Sequence, residues 1–554
     1  MNGSEILLDA LHREGADLVF GYPGGSVIPL FDRFYDADIR VIQVRHEQAA
    51  AHAADGYARV TGKVGVCIAT SGPGATNLVT GIATAHFDSI PMVAITGQVK
   101  TPLIGNDAFQ EADMTGITRP ITKHNYLVKD VNDLARVLRE AFHIARTGRP
   151  GPVLVDLPVD VSLAQADEPI DDAIRLPGYH PRVEGNVRQV RLAAEAINTA
   201  QRPVILCGGG VVLSGASEEL TALARKTRVP VTTTLLGLGA FPPDDDLWLG
   251  MPGMHGTGYA NHAIMQSDLL VSVGARFDDR VTGKVSSFAP HARVVHIDVD
   301  PTSISKNVRV DVPVVGDAKH ILVELLKLVE DKDRSAWLAT IADFKAKHPL
   351  AYDRGASTIK PQYVVEQLHE ATRGGAVIVT EVGQNQMWAA QWYRFKQPRH
   401  FCSSGGLGTM GYGFPAAIGA QCGRPEATVI DIAGDGSIQM NIQELATTMQ
   451  YKLPVKVAIL NNGYLGMVRQ WQELFYNRRY ALTPLDGSPD FVKLAEAYGA
   501  TGLRVTDKAD VRPAIEQALA TDGPVFMDFH VEPEENVFPM VPAGEAIDRM
   551  ISMA

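Results

Sequence analysis

The chain has 554 residues, too many for one hydrophobic core, so about three domains are expected. Hydrophobic residues make up 45% and charged residues 21%, the profile of a soluble globular protein. A net charge of −12 argues against nucleic acid or an anionic membrane surface as a partner. Four scattered cysteines, Cys67, Cys207, Cys402 and Cys422, form neither a disulfide framework nor a metal-binding spacing. No apolar run reaches the roughly 18 residues of a membrane span. A helical pattern begins at once, near Ser4 to Glu14, without a signal or transit segment, so a cytoplasmic location is expected.

Residues 1–161 read as a first α/β domain, with strands at Leu18–Phe20, Ile39–Val44, Val64–Ala69, Met92–Thr96 and Val153–Leu157. Two glycine-rich turns follow strands there, Gly21-Tyr22-Pro23-Gly24-Gly25 and Thr70-Ser71-Gly72-Pro73-Gly74. Such turns expose backbone N–H groups and let a ligand approach the main chain. Arg45-His46-Glu47-Gln48 ends another strand and opens an alanine-rich helix, Gln48 to Arg59. Its Ala49, Ala50, Ala53, Ala54 and Tyr57 share a face that permits very close packing. By itself, Glu47 is a carboxylate favoured by the helix dipole, worth about 0.3–1 kcal/mol. Asp107 to Glu111 is a polar loop carrying Phe109 and Gln110.

Residues 162–185 read as a linker, and 186–335 as a second α/β domain with strands at Pro203–Cys207, Val229–Thr233, Leu269–Val273 and Val294–Ile297. A second linker, 336–362, is expected to be one helix plus irregular chain. The third domain, 363–554, has strands at Val377–Thr380, Thr428–Ile432, Val455–Leu460 and Pro524–Phe529 and a C-terminal tail. Strands alternating with helices imply three doubly wound parallel sheets.

Gly406-Leu407-Gly408-Thr409-Met410-Gly411 fits the G-x-G-x-x-G dinucleotide pattern. The preceding Phe401-Cys402-Ser403-Ser404 is a poor strand, and Asp431 falls inside a strand, so the Rossmann reading is rejected. A backbone loop around a ligand, with Met410 as apolar wedge, suits the segment better. The strongest local signal lies further on. One buried-strand pattern ends at Gly434-Asp435-Gly436-Ser437, the next at Asn461-Asn462, and a helix from Ile442 to Tyr451 joins them. A βαβ unit delivers Asp435 and Asn462 to the same sheet edge, where parallel sheets bind ligands. A carboxylate and an amide oxygen suit magnesium shared with phosphates, and Gly434 and Gly436 let phosphates approach.

That pairing resembles the cofactor motif of thiamine diphosphate enzymes. The wider set is similar to the catalytic subunit of acetohydroxyacid synthase: Phe20 to Gly25, Arg45 to Gln48, Thr70 to Asn77, Thr96 to Val99, Asp107 to Asp113, Gly148 to Asp156, Val273 to Gly283, Val382-Gly383-Gln384, Gln386 to Gln391 and Gly466 to Trp471. The resemblance covers nearly the whole chain. It implies that the first domain binds the thiamine pyrimidine, the middle one FAD, and the last the diphosphate and magnesium. It implies decarboxylation of pyruvate and condensation with a second 2-oxo acid, pyruvate or 2-oxobutyrate, to give 2-acetolactate or 2-aceto-2-hydroxybutyrate. A homodimer or homotetramer with sites between subunits, and a small regulatory subunit, are implied partners.

Carried over residue by residue, Glu47 activates the cofactor and Met410 holds its bent conformation. Asp435, Asn462 and the main-chain oxygen of Tyr464 bind magnesium, with Gly383, Gln384, Gly408, Gly434, Gly436 and Ser437 around the cofactor. Gly24 stabilises an oxyanion through its backbone. Arg276, with Asp278 and Arg280, lines the FAD site. Arg276 and Trp471 also line the second substrate's site, with Phe109, Gln110 and Met251 as further contacts. Two departures stand out: the family's Leu-Pro-Lys-Asp turn is Leu157-Pro158-Val159-Asp160 here, and Gly463-Tyr464 is an uncommon sequel to the asparagine pair. The main alternative is a pyruvate-oxidase-like flavin oxidoreductase, which would consume oxygen or reduce a quinone. A 2-oxo-acid decarboxylase and a FAD-free acetolactate synthase are further alternatives.

Overall fold

Short runs of Val, Ile, Leu and Ala form the inner strands, which are buried on both faces and therefore carry no alternating pattern. In the computed structural model, which describes residues 1–166 and 173–552, they assemble into three separate parallel sheets. The first contains β1 (Leu18–Gly21), β2 (Arg40–Gln43), β3 (Gly65–Ala69), β4 (Met92–Gln98), β5 (His124–Leu127) and β6 (Pro152–Pro158), in the order β2-β1-β3-β4-β6-β5. The second contains β7 (Pro203–Cys207), β8 (Val231–Thr233), β9 (Leu269–Val273), β10 (Arg293–Asp298) and β11 (Val312–Val315), in the order β11-β10-β9-β7-β8. The third contains β12 (Val377–Thr380), β13 (Phe401–Cys402), β14 (Val429–Gly434), β15 (Lys456–Asn461), β16 (Thr501–Val505) and β17 (Val525–His530), in the order β13-β12-β14-β15-β17-β16.

Four of these strands, β5, β11, β13 and β16, have no counterpart in the sequence reading. All four sit at the edge of their sheet. β5 and β16 are part-exposed along most of their length and so lack a continuous apolar run, β11 is interrupted by Pro313, and β13 is only two residues long. Phe401–Cys402, read as a poor strand, pairs with β12 over two residues only. The predicted helix at Ile442–Tyr451 is a 3₁₀ turn, Ile442–Glu444, followed by an α-helix, Leu445–Tyr451.

Both expected linkers contact the domains beside them. Within the first, residues 167–172 lie outside the described residues, while Gln165 bridges antiparallel to Asn2. In the second, helix Ser335–Lys347 buries Trp337, Ile341 and Phe344 against the middle sheet. The Trp337 indole donates to the Pro203 carbonyl at 3.0 Å.

The first and third sheets share one core. Helix Glu47–Thr61 lies against helix Gly413–Gly423, with closest approaches of Gly56 to Ala416 and Gly419 to Ala53. A Cβ on Gly419 would stand 1.8 Å from the Ala53 carbonyl oxygen, so the two backbones touch. The alanine face predicted for close packing meets the third domain of its own chain.

Candidate active site

The register of β14 with β15, Gly434 opposite Leu460, brings the two carboxyl-terminal strand ends side by side. Asp435 follows the first strand and Asn462 the second. Asp435 is only 1% exposed, and neither of its carboxylate oxygens has a hydrogen-bonding partner. Burial pushes its carboxyl up to about 7, although the nearby N–H groups of Asp435 itself, Asn462 and Gly463 pull the other way. A buried carboxylate without a partner is costly, and a bound cation is the natural complement.

Asn462 is oriented for the same task. Its Nδ2 donates to Gln384 Oε1 at 3.2 Å, which turns Oδ1 away from Gln384. Gln384 Nε2 donates in turn to Gln470 Oε1 at 2.9 Å, so the amide row is fixed. Leu485 N–H bonds the Gly463 carbonyl and Leu465 N–H the Thr483 carbonyl, which leaves the Tyr464 carbonyl out of the pairing. Among the described residues no cluster of three His, Cys, Asp or Glu could hold a metal. One carboxylate, one amide and one main-chain oxygen are too few for an octahedral ion, which suits magnesium completing its shell with phosphate oxygens and water. The residues present fit a magnesium diphosphate.

Asn385 and Ser437 secure the same strand ends. Asn385 Nδ2 donates to the carbonyls of Glu381 and Ile432, and the Gly434 N–H donates to Ser437 Oγ. Asp431, the acid of the rejected dinucleotide pattern, is fully buried; burial and the neighbouring Glu381 hold its carboxyl well above the usual range. It faces no ligand.

A cavity of about 740 Å³ opens between the three domains. It is lined by Met251, Arg276, Asp278, Arg280, Gly383, Gly408, Met410 and Trp471, eight of the residues singled out from the sequence. Asp278 caps the short helix Asp279–Thr282 through the N–H groups of Arg280 and Val281, and lies 4.0 Å from Arg276 Nε. Trp471 packs on Phe475 one turn later on helix Gly466–Phe475, with ring centroids 5.3 Å apart. Gly209, Gly210 and Gly274 also line the cavity, where the ends of β7 and β9 meet. A Cβ on Gly208 would stand 2.1 Å from the Gly274 carbonyl oxygen. This glycine cradle, which admits a dinucleotide's phosphates to bare backbone, fits FAD. The sequence reading passed over it; the run Gly208-Gly209-Gly210 after a strand was its available signal.

Glu47, Gly24, Phe109 and Gln110 do not line this cavity. They gather on the first domain. Glu47 opens its helix and accepts a hydrogen bond from Asn77 Nδ2 at 2.9 Å. Gly24 lies on Thr70, where a Cβ would come within 2.5 Å, and Ser26 ties the two glycine-rich turns together through Thr70 and Ser71. Gln110, at φ +60°, backs onto Gly72. Phe109 is 87% exposed at the tip of its loop. Asp160, beside the departing Val159, accepts from both the N–H and the hydroxyl of Thr101 and so anchors the start of that loop.

The sequence matches three family models: Thiamine pyrophosphate enzyme, N-terminal TPP binding domain, over residues 1–117; the central domain over 190–325; and the C-terminal TPP binding domain over 381–529. It is 50% identical to the probable acetolactate synthase large subunit of Methanocaldococcus jannaschii, across 100% of this chain and 95% of that relative. It is 48% identical to the acetolactate synthase large subunit of Haemophilus influenzae, across 100% and 98%. With that of Corynebacterium glutamicum the identity is 51%, across 99% and 89%.

The chain belongs to the acetolactate synthase large-subunit family of thiamine pyrophosphate enzymes. Acetolactate synthases are thiamine diphosphate-dependent carboligases, and that activity is the one these relatives carry to this chain. No helix among the described residues is long and apolar enough to cross a membrane.

Proposed function

We propose that Asp435, Asn462 and the Tyr464 carbonyl hold magnesium, and through it the diphosphate of thiamine diphosphate, for acetolactate synthesis. The observation that carries this reading is the pair of unpartnered Asp435 oxygens beside an Asn462 amide already turned by Gln384. When bound, the thiamine supplies the nucleophilic carbon and the electron sink for decarboxylation of a 2-oxo acid. Met410, half-buried at the cavity wall, would pack against the cofactor. Gly434, Gly436, Gly383 and Gly408 admit it to the backbone, and Ser437 holds the Gly434 turn.

Glu47 moves a proton at the cofactor's pyrimidine nitrogen, and the Gly24 N–H faces a developing oxyanion. Arg276 pairs with the carboxylate of the second 2-oxo acid in a planar fork, and Trp471 and Met251 form an apolar wall that favours 2-oxobutyrate's extra methyl group. Arg276, Asp278 and Arg280 flank a structural FAD, which the reaction does not oxidise or reduce.

Glu47, Gly24, Phe109 and Gln110 of one chain serve the cofactor held by a second copy, because they do not line their own chain's cavity. A homodimer is the smallest complete enzyme, with a small regulatory subunit as a further partner. Four free, buried cysteines suit a reducing cytoplasm.

Supplied with pyruvate, thiamine diphosphate, magnesium and FAD, the enzyme should form acetolactate with no oxygen uptake. Oxygen consumption with little acetolactate would assign it to pyruvate-oxidase chemistry and remove the roles of Arg276 and Trp471.

A further inference from the structure

The turn from Gly405 to Tyr412 carries Met410 into the cavity, although no regular element supports it: β13 ends at Cys402 and the next helix begins at Gly413. Much of its grip comes from the first domain. Asp88 Oδ2 accepts the Gly405 N–H at 3.0 Å and Oδ1 the Gly406 N–H at 2.7 Å. Arg59 Nη2 holds the same carboxylate at 2.7 Å, and Arg59 Nε reaches Asp55 at 2.6 Å. Asp55 also accepts the Tyr412 hydroxyl at 2.7 Å, at the far end of the turn. Between these ends, the Thr84 and Thr409 hydroxyls meet at 2.8 Å. The Asp55 and Asp88 side chains are 0% exposed and that of Arg59 is 7% exposed.

A buried group of two carboxylates and one guanidinium is a poor device for stability alone, because apolar side chains of the same volume do as well. Apolar side chains could not accept two backbone N–H groups and a phenol. Gly406 adds a second consequence. A Cβ there would lie 2.9 Å from Asp88 Oδ1 and 2.8 Å from Arg276 Nη2, so the backbone that Asp88 fixes is the surface on which Arg276 rests.

We propose that Asp88, braced by Arg59 and Asp55, is a positioning residue that sets the Gly405–Tyr412 turn and thereby places Met410 and Arg276 in the cavity. The inference rests on the cofactor role given above to Met410.

The test compares Asp88→Asn and Thr84→Val in the full holoenzyme, with Met410→Ala alongside. Thr84→Val leaves the ionic group intact and covers the case in which Asp88→Asn does not fold. In a folded Asp88→Asn, kcat for acetolactate should fall about tenfold to a hundredfold while the pyruvate KM stays within about threefold. Amide exchange should accelerate in residues 403–412 and not across helix Glu47–Thr61. Thr84→Val should shift both readouts the same way, less strongly. Faster exchange in the turn with unchanged kcat and unchanged thiamine diphosphate affinity would reduce the group to a domain staple and overturn the proposal. Unchanged exchange in the turn would overturn it too. If Met410→Ala has no effect, the reading of the site fails; if it lowers kcat and the other variants do not, only the positioning role fails.

Discussion

Gly56 of helix Glu47–Thr61 faces Ala416 of helix Gly413–Gly423 so closely that a Cβ on Gly56 would stand 2.1 Å from the Ala416 carbonyl oxygen. At this crossing the first and third domains are therefore joined by direct backbone contact. Gly56→Ala must push two buried helices apart, at a cost of at least about 1–3 kcal/mol. Its melting temperature should drop by about 5 °C or more, read by calorimetry, whereas Gly523→Ala, at an open surface turn, should show only the small strain of its positive φ.

The proposed placement of Glu47 and Asp435 in different subunits of one site has a consequence for mixed enzymes. Glu47→Gln and Asp435→Asn should each lower kcat at least about a hundredfold without loss of fold. Co-refolded or co-expressed in equal amounts, they should regain about a quarter of wild-type activity, because half the dimers are mixed and each mixed dimer has one intact site. If both residues belonged to the same chain's site, mixing would restore nothing.

Asp435 also predicts a pH dependence of metal binding. Its carboxyl in the metal-free protein is raised by burial to about 7, above the range of an exposed aspartate. The folded protein thus holds a proton that the unfolded chain has lost, so this group contributes stability at low pH that fades as pH rises toward 7. Magnesium needs the ionised form. Below about pH 7 its binding should release close to one proton and strengthen about tenfold per pH unit, flattening above. Calorimetric titration in two buffers of different ionisation heat measures the proton release. Asp435→Asn should abolish it.

Trp471 and Met251 line the cavity with Arg276, and the proposed function has them sense the extra methyl group of 2-oxobutyrate. Removing an apolar wall against one methylene is worth about 1–3 kcal/mol of discrimination. Trp471→Leu should lower the ratio of 2-aceto-2-hydroxybutyrate to acetolactate about tenfold or more in competition between 2-oxobutyrate and pyruvate. An unchanged ratio would move specificity elsewhere in the cavity.

Local sequence was enough for the inner strands, the Gly434–Ser437 and Asn461–Asn462 strand ends, and the alanine face of the first long helix. Each is a short-range signal: an apolar run, a glycine where backbone must come close, a small side chain at helical spacing. The edge strands β5 and β16 were not legible because partial exposure removes the apolar run that marks a strand, β11 because Pro313 interrupts it, and β13 because it is only two residues long.

Long-range relationships belonged to the tertiary structure. Asp55, Arg59 and Asp88 read as ordinary charged positions in sequence, and only the packing of the first domain on the third aims them at Gly405, Gly406 and Tyr412. Gly208 and Gly274, 66 residues apart, become a cradle only when β7 and β9 pair. The sequence by itself determined which chemistry the chain carries, since carboxylate, amide and glycine at strand ends are set by adjacent residues. Folding decided which groups share a site. Glu47 and Asp435 each stand at the end of a strand pattern, but helix Glu47–Thr61 packs against its own chain's third domain and leaves Glu47 outside the cavity that Met410 lines.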